Sequence, residues 1–215
     1  MNLQIILAAV VLNFLAILSA FGKSTPAPKV TFTSPCDVQG QHGVDRWTPK
    51  TDPAPAPFLS LGVASVTPSQ IYQWKGPGPN VPLTRKTETR LASEQKWYKL
   101  TGRVVDLRVE ADGDIHIALK DATGTKAGTV GAEIPLGPKW CKYRTTVFGW
   151  TTRKFPFRFK SSAVLTIRER HVITVTGKAF FDVDHAPANH SNRRSNQKGY
   201  AAWEIHPVMA LHVDQ

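Results

Sequence analysis

Two cysteines in 215 residues are too few for a disulfide-dense miniprotein or a four-cysteine zinc site. Acidic side chains are also scarce: 16 Asp and Glu stand against 27 Lys and Arg, a formal charge of +11. Familiar catalytic signatures are missing. There is no Gly-x-Ser-x-Gly elbow and no His-Glu-x-x-His pair, and Gly177-Lys178 is not a phosphate loop, because Val172 stands where such a loop needs glycine. No carboxylate spacing singles out glycoside hydrolysis, and no repeat of about 20 to 50 residues marks a solenoid. What is present, 41% hydrophobic residues with six Trp and ten Phe, suffices for a buried core and excludes a disordered or collagenous chain.

Residues 1–22 (MNLQIILAAVVLNFLAILSAFG) are apolar apart from Asn2, Gln4, Asn13 and Ser19, which makes them a secretory signal or a membrane anchor. Small residues at Ser19, Ala20 and Gly22, followed by polar Lys23, Ser24 and Thr25, favour cleavage; the lack of Lys or Arg ahead of the apolar run argues against it. About 19 apolar residues at roughly 1.5 Å each could also cross about 30 Å of hydrocarbon. Either way the remainder is expected outside the cytoplasm, periplasmic or secreted. Thiols oxidise there, so Cys36 and Cys141 are expected to form a disulfide, the alternative being two buried free thiols.

Eleven of the 16 prolines lie between residues 26 and 82. Proline fixes φ and removes a donor, so residues 23–94 are expected to be an extended arm rather than regular helix or sheet. Trp47, Phe58, Leu59, Leu61, Tyr72 and Trp74 are too apolar for a free linker and predict that the arm lies on the core.

From about residue 95 the pattern changes to alternation, the mark of half-buried strands. Strands are predicted at 98–109 (YKLTGRVVDLRV), 115–120 (IHIALK), 129–134 (TVGAEI), 171–183 and 202–213, with turns at 111–114 and 121–125. Three meandering strands, a longer and partly helical insertion, then two strands is the element order of the OB-fold. The fold class is therefore mainly all-β, an OB-like five-stranded Greek-key barrel over 95–215 with a proline-rich N-terminal arm. Another small barrel or a β-sandwich are the alternatives.

The segments DGDIHIAL (112–119), AEIP (132–135), VTGKAFFDVDH (175–185) and WEIHPV (203–208), with RWTPKT at 46–51, resemble a family of exported bacterial proteins of poorly defined function. Such proteins carry DGDxH, AEIP, TGxxFFDxxH and WEIHPV-type motifs in that order. The resemblance covers about residues 45–213 and implies an OB-like barrel and an exported location. It brings no established activity, and the basic loop at 186–200 departs from the pattern.

These motifs supply Asp112, Asp114, His116, Glu133, Asp182, His185, Glu204 and His206, the carboxylates and imidazoles that divalent metals or acid/base steps require. Glu204 and His206 leave the same face of one strand, and His116 lies opposite its apolar neighbours. His116, Glu204 and His206 are the catalytic candidates for a metal-dependent phosphoester hydrolase. His116, Asp182, His185, Glu204 and His206 are the candidate ligands for a divalent metal. The plainer reading is turn aspartates and buried hydrogen-bonded pairs.

A second line comes from the cations. Residues 95–215 hold 19 Lys and Arg against 11 Asp and Glu. Lys139, Trp140, Lys142, Arg144, Arg153, Lys154 and Arg158 lie in a stretch rich in aromatic rings with no acid, and Arg193, Arg194 and Lys198 lie in the loop before the last strand. Cations that follow phosphates and rings that stack on bases predict a polyanion partner. Nucleic acid is favoured, ahead of acidic glycan or an anionic membrane surface; the same rings could instead plug the barrel. The sequence thus predicts an exported polyanion-binding module, with the metal-dependent hydrolase and a non-catalytic envelope domain as alternatives.

Overall fold

The computed structural model describes residues 29–40, 45–57 and 62–215. The leader at 1–22 and the apolar residues Phe58, Leu59 and Leu61 lie outside that set. In chain order come strand β1 (Val30–Phe32), helix α1 (Trp47–Lys50), strand β2 (Val63–Val66) and helix α2 (Pro68–Tyr72). Strands β3 (Trp97–Glu110), β4 (Ile115–Lys120) and β5 (Val130–Ile134) follow, then helix α3 (Cys141–Gly149) and the short strands β6 (Phe157–Phe159) and β7 (Ser162–Val164). The long strands β8 (Val172–Phe181) and β9 (Trp203–Val213) end the chain. No helix among the described residues is long and apolar enough to cross a membrane.

Five strands close a barrel. β3 pairs antiparallel with β4 and β4 with β5; β5 runs parallel to β9, β9 antiparallel to β8, and β8 returns antiparallel to β3. With α3 between the third and fourth barrel strands, this is the OB-like architecture. Closure leaves no unpaired barrel edge. Alternation puts Ile115, Ile117 and Leu119 of β4 into the core and His116 and Ala118 on the outer face. In β3 the inward set changes parity, from Leu100 and Val104 to Leu107 and Val109. The cause is a register shift between Val104 and Asp106, where one extra residue bends the strand. That bend lets a single 14-residue strand pair with β8 in its first half and β4 in its second.

The arm is more ordered than the proline content predicts. β2 adds to β3 in parallel, and α2 begins with a reciprocal Thr67–Gln70 capping box and proline at its first position, where the missing N–H costs nothing. Its anchor is Arg46, whose guanidinium pairs with both carboxylate oxygens of Glu94 at 2.7 and 2.8 Å and donates to the carbonyls of Thr87, Thr89 and Phe181.

Cys36 and Cys141 form the expected disulfide, with Cα atoms 4.8 Å apart. It ties the segment after β1 to the start of α3. Closing a loop of 105 residues constrains the unfolded chain by about 4 to 5 kcal/mol at most. Reduction is therefore expected to lower the denaturant midpoint by an amount equivalent to about 2 to 5 kcal/mol. Urea titrations with and without reductant measure it, and coincident curves would contradict it.

Candidate functional site

The outer faces of β4, β5 and β9 carry the polar motif residues. Ala132 of β5 is paired with Ile205 of β9, and both are core residues, so Gly131, Glu133, Glu204 and His206 share the opposite face. The β3–β4 hairpin and the segment between β8 and β9 fold over this face, leaving a cleft of about 560 Å³. In OB-folds the corresponding face and loops bind ligands.

The hairpin supplies Asp112 and Asp114. Gly113, at φ 90°, makes the tight turn, and a Cβ there would stand 2.6 Å from Leu136 Cδ1. The Asp112 side chain accepts from the Asp114 amide at 3.2 Å and pairs with Lys50 of α1 at 3.1 Å. Burial pulls the Lys50 ammonium down, but Asp112, Asp114 and Glu133 hold it above the usual lysine range. Asp114 Oδ2 lies 3.1 Å from His206 Nε2, yet neither ring nitrogen of His206 and neither oxygen of Asp114 has a hydrogen-bond partner. The two groups are close but not aligned for a hydrogen bond. Burial, then the Lys50 charge, depress the His206 imidazole well below its ordinary value, so it is neutral at pH 7.

His116 and Glu133 are cross-strand partners. Nδ1 of the ring and Oε1 of the carboxyl are hydrogen-bonded, and Glu110 Oε1 lies 3.7 Å from the same nitrogen. Burial pushes the His116 imidazole down to about 4 and the Glu133 carboxyl up to about 8, the latter helped by Asp114 and Asp112. Both shifts favour a neutral pair over an ion pair. A Cβ on Gly131 would stand 2.9 Å from both Glu204 Oε1 and His116 Cε1, so glycine makes room for these side chains to cross the strand.

A carboxyl with a raised folded value keeps its proton longer in the native state. It costs nothing below its unfolded value near 4.5 and weakens the fold progressively as pH rises to about 8. In chelator, wild-type protein is therefore expected to lose more stability between pH 5 and 8 than Glu133→Gln does. Calorimetric scans across that range test the difference, and parallel curves would contradict it.

The segment between β8 and β9 contributes Asp182, His185 and Arg194. Asp182 accepts from the amide and from Nδ1 of His185, at 3.2 and 2.7 Å, and pairs with Arg194 at 3.1 Å. Arg194 also pairs with Glu204. Although burial opposes it, hydrogen bonds and charge from His185 and Arg194 hold the Asp182 carboxyl far below the usual range. The hydrogen bond to Asp182 raises His185. This imidazole is a third exposed at the cleft wall.

Four of the five predicted metal candidates, Asp182, His185, Glu204 and His206, thus line one cleft, and His116 is hydrogen-bonded to Glu133 of its lining. Their immediate partners divide them. Glu204 and Asp182 are taken by Arg194, whereas His116 and His206 keep nitrogens without partners. Sequence reasoning missed Glu110, Lys50 and Arg108, which also line the cleft. Lys50 lies inside RWTPKT, which was a signal; Glu110 is an ordinary strand end and gave none.

The cationic stretch is arranged differently from the expectation. Trp140 is buried, and Arg144 is fully buried inside α3, donating to the carbonyls of Pro35, Gly113, Ile134 and Pro135. Neither is available to a ligand, a correction whose cause is α3 packing that face against the barrel. Phe148, Trp150, Phe157 and Phe159 are core residues; Phe157 makes tilted ring contacts with Phe148 and Phe159, and Trp150 with His171, so these four rings fill the interior. Lys139 donates to the Pro53 carbonyl, Arg153 lies over the Phe157 ring, and Arg193 lies 3.6 Å over the Tyr72 ring. Arg194 is inside the cleft. Lys142, Lys154, Arg158, Lys160 and Lys198 remain exposed.

Comparison with known protein families, with curated proteins and with solved structures finds no match to this chain.

Proposed function

We propose that the chain is an exported hydrolase of phosphodiesters, nucleic acid foremost, acting in the cleft on the outer face of β4, β5 and β9. The observation that carries the reading is the convergence there of buried or half-buried imidazole–carboxyl pairs, His116 with Glu133, His206 with Asp114 and His185 with Asp182. Strongly shifted groups clustered in a cleft are what acid/base chemistry requires. The disulfide supports an oxidising compartment.

In hydrolysis, water adds to phosphorus and the bond from phosphorus to the leaving oxygen breaks. His206, neutral and without a hydrogen-bond partner, takes the proton from the attacking water. His185, its Nδ1 held by Asp182, gives the Nε2 proton to the departing oxygen. Arg85 and Lys50 on the cleft wall supply positive charge for the phosphoryl oxygens. A divalent ion would add Lewis acidity to the same step.

The exposed cations favour a second reading, a polyanion binder without chemistry. Among the described residues Lys142, Lys154, Arg158 and Lys160 have no carboxylate partner, so they can follow phosphates, acidic glycan or an anionic membrane surface. One experiment separates the readings. The chain is incubated with single-stranded DNA, duplex DNA and RNA at about 50 mM salt, where phosphate contacts are strong, with Mg²⁺, Mn²⁺ or Zn²⁺ and with chelator. Fragments that disappear in His206→Ala support the hydrolase; intact retarded nucleic acid released by salt supports the binder. Neither outcome would remove both and leave the envelope domain.

A further inference from the structure

We propose that Glu110, His116 and Glu133 hold one divalent first-row transition-metal ion at the floor of the cleft. The use of that ion in hydrolysis rests on the function proposed above; its binding does not.

Eight carboxyl groups and five Lys and Arg side chains line the cleft, a formal balance of −3 on a chain whose total is +11. Most of those carboxyls have their own cation: Asp112 has Lys50, Asp182 and Glu204 have Arg194, and Asp45 and Asp184 have Arg85. Among the described residues Glu110 and Glu133, like Asp114, make no ion pair with Lys or Arg, and both approach the His116 ring. These two carboxyls are thus left without an ion-paired cation of the chain, a place that a metal ion would take with release of the Glu133 proton.

One ligand atom from each of the three residues lies within 4.8 Å of the other two. Beyond that contact, Glu133 Oε2 is buried and has no hydrogen-bond partner, and a buried polar atom left unpaired costs free energy that a bound cation would offset. An ion about 2.0 to 2.2 Å from nitrogen and oxygen donors would need only a slight parting of His116 Nδ1 from Glu133 Oε1. All three residues belong to paired strands or their ends, so the site is held by rigid elements. Asp114 and His206 are the weaker alternative, because the Lys50 ammonium already supplies a cation to that hairpin.

Two carboxylates and one imidazole are a hard-to-borderline set suited to Mn²⁺ or Zn²⁺. Such an ion would place positive charge at the cleft floor for phosphoryl oxygens and lower the pKa of a bound water.

The test is calorimetric titration of chelator-treated full chain with Zn²⁺ and with Mn²⁺, together with visible absorption of the Co²⁺-loaded protein. Expected are one ion per chain, a rise in melting temperature on loading, and Co²⁺ bands of a mixed nitrogen–oxygen site. Glu133→Gln and His116→Ala are each expected to weaken binding at least about 10-fold, in line with losses of metal-site groups, while His206→Ala retains it. If those two variants fail to fold, the wild-type Co²⁺ spectrum and the stoichiometry still decide: no binding, or a spectrum without nitrogen ligation, overturns the site. Binding of Ca²⁺ alone, or binding lost in His206→Ala but kept in His116→Ala, also overturns it. Tight metal binding with no cleavage of nucleic acid would sustain the site and refute the hydrolase; chelator-resistant cleavage without bound metal would do the reverse.

Discussion

Replacing Arg46 by alanine is expected to destabilise the fold by about 3 to 5 kcal/mol, the cost of leaving one member of a buried ion pair alone. Arg46 and Glu94 are each essentially inaccessible to solvent. Glu94 also accepts from the amides of Leu91 and Phe181, and the Arg46 guanidinium lies over the Phe180 ring. Removing the guanidinium strands a carboxylate in the interior and releases three carbonyls. Because Phe181 immediately precedes the segment that carries Asp182 and His185, the same change is expected to loosen the cleft wall. Denaturant unfolding measures the loss, and a change below about 1 kcal/mol would contradict it. Replacing both partners by hydrophobic residues, Arg46→Met with Glu94→Leu, is expected to recover part of the stability, since no buried charge is then left unpaired although the Leu91 and Phe181 amides and the three carbonyls still lose their partners.

His185→Ala is expected to lower turnover on a phosphodiester with a poor leaving group by about 10² to 10⁴, the usual contribution of a positioned general acid. The same variant is expected to lose far less on a nitrophenyl phosphodiester, whose leaving oxygen departs without a proton. Because Asp182 raises the His185 imidazole, the required protonated form persists to higher pH than in a free imidazole and activity falls as pH rises past that raised value. Asp182→Asn is expected to move the descending limb to lower pH. An equal loss on both substrates with an unmoved pH limb would show that His185 only supports the loop. The stability contribution of the His185–Asp182 pair has the matching sign: full below the unfolded histidine value near 6.5 and lost as pH rises through the folded one.

Much of the barrel was legible because its strands alternate cleanly. The predicted 115–120 strand coincides with β4, and the other four predicted strands differ from β3, β5, β8 and β9 by one or two residues at their ends. The change of parity in β3 was not legible, since an extra residue in a strand leaves no compositional trace. The arm was read through its prolines as extended, yet proline at the first position of α2 is compatible with a helix, and β2 needed its partner β3 to become a strand. The cationic stretch was ambiguous for a related reason: seven rings among seven cations read equally as a stacking surface and as a plug. Burial of Phe148, Trp150, Phe157 and Phe159 favours the plug.

The linear order of residues was sufficient for the strand sequence, the disulfide partners and the set of acids and imidazoles, since each follows from local periodicity, redox chemistry or residue type. Which acid faces which imidazole depended on closure of the barrel. His116, Glu133 and Glu110 meet because neighbouring strands are in a particular register, and Arg194 reaches Glu204 because the connecting segment folds back over the sheet. His116 and Glu133 are 17 positions apart on neighbouring strands, and Arg194 and Glu204 are 10 apart between a connecting segment and a strand, and distance along the chain carries no information about either contact.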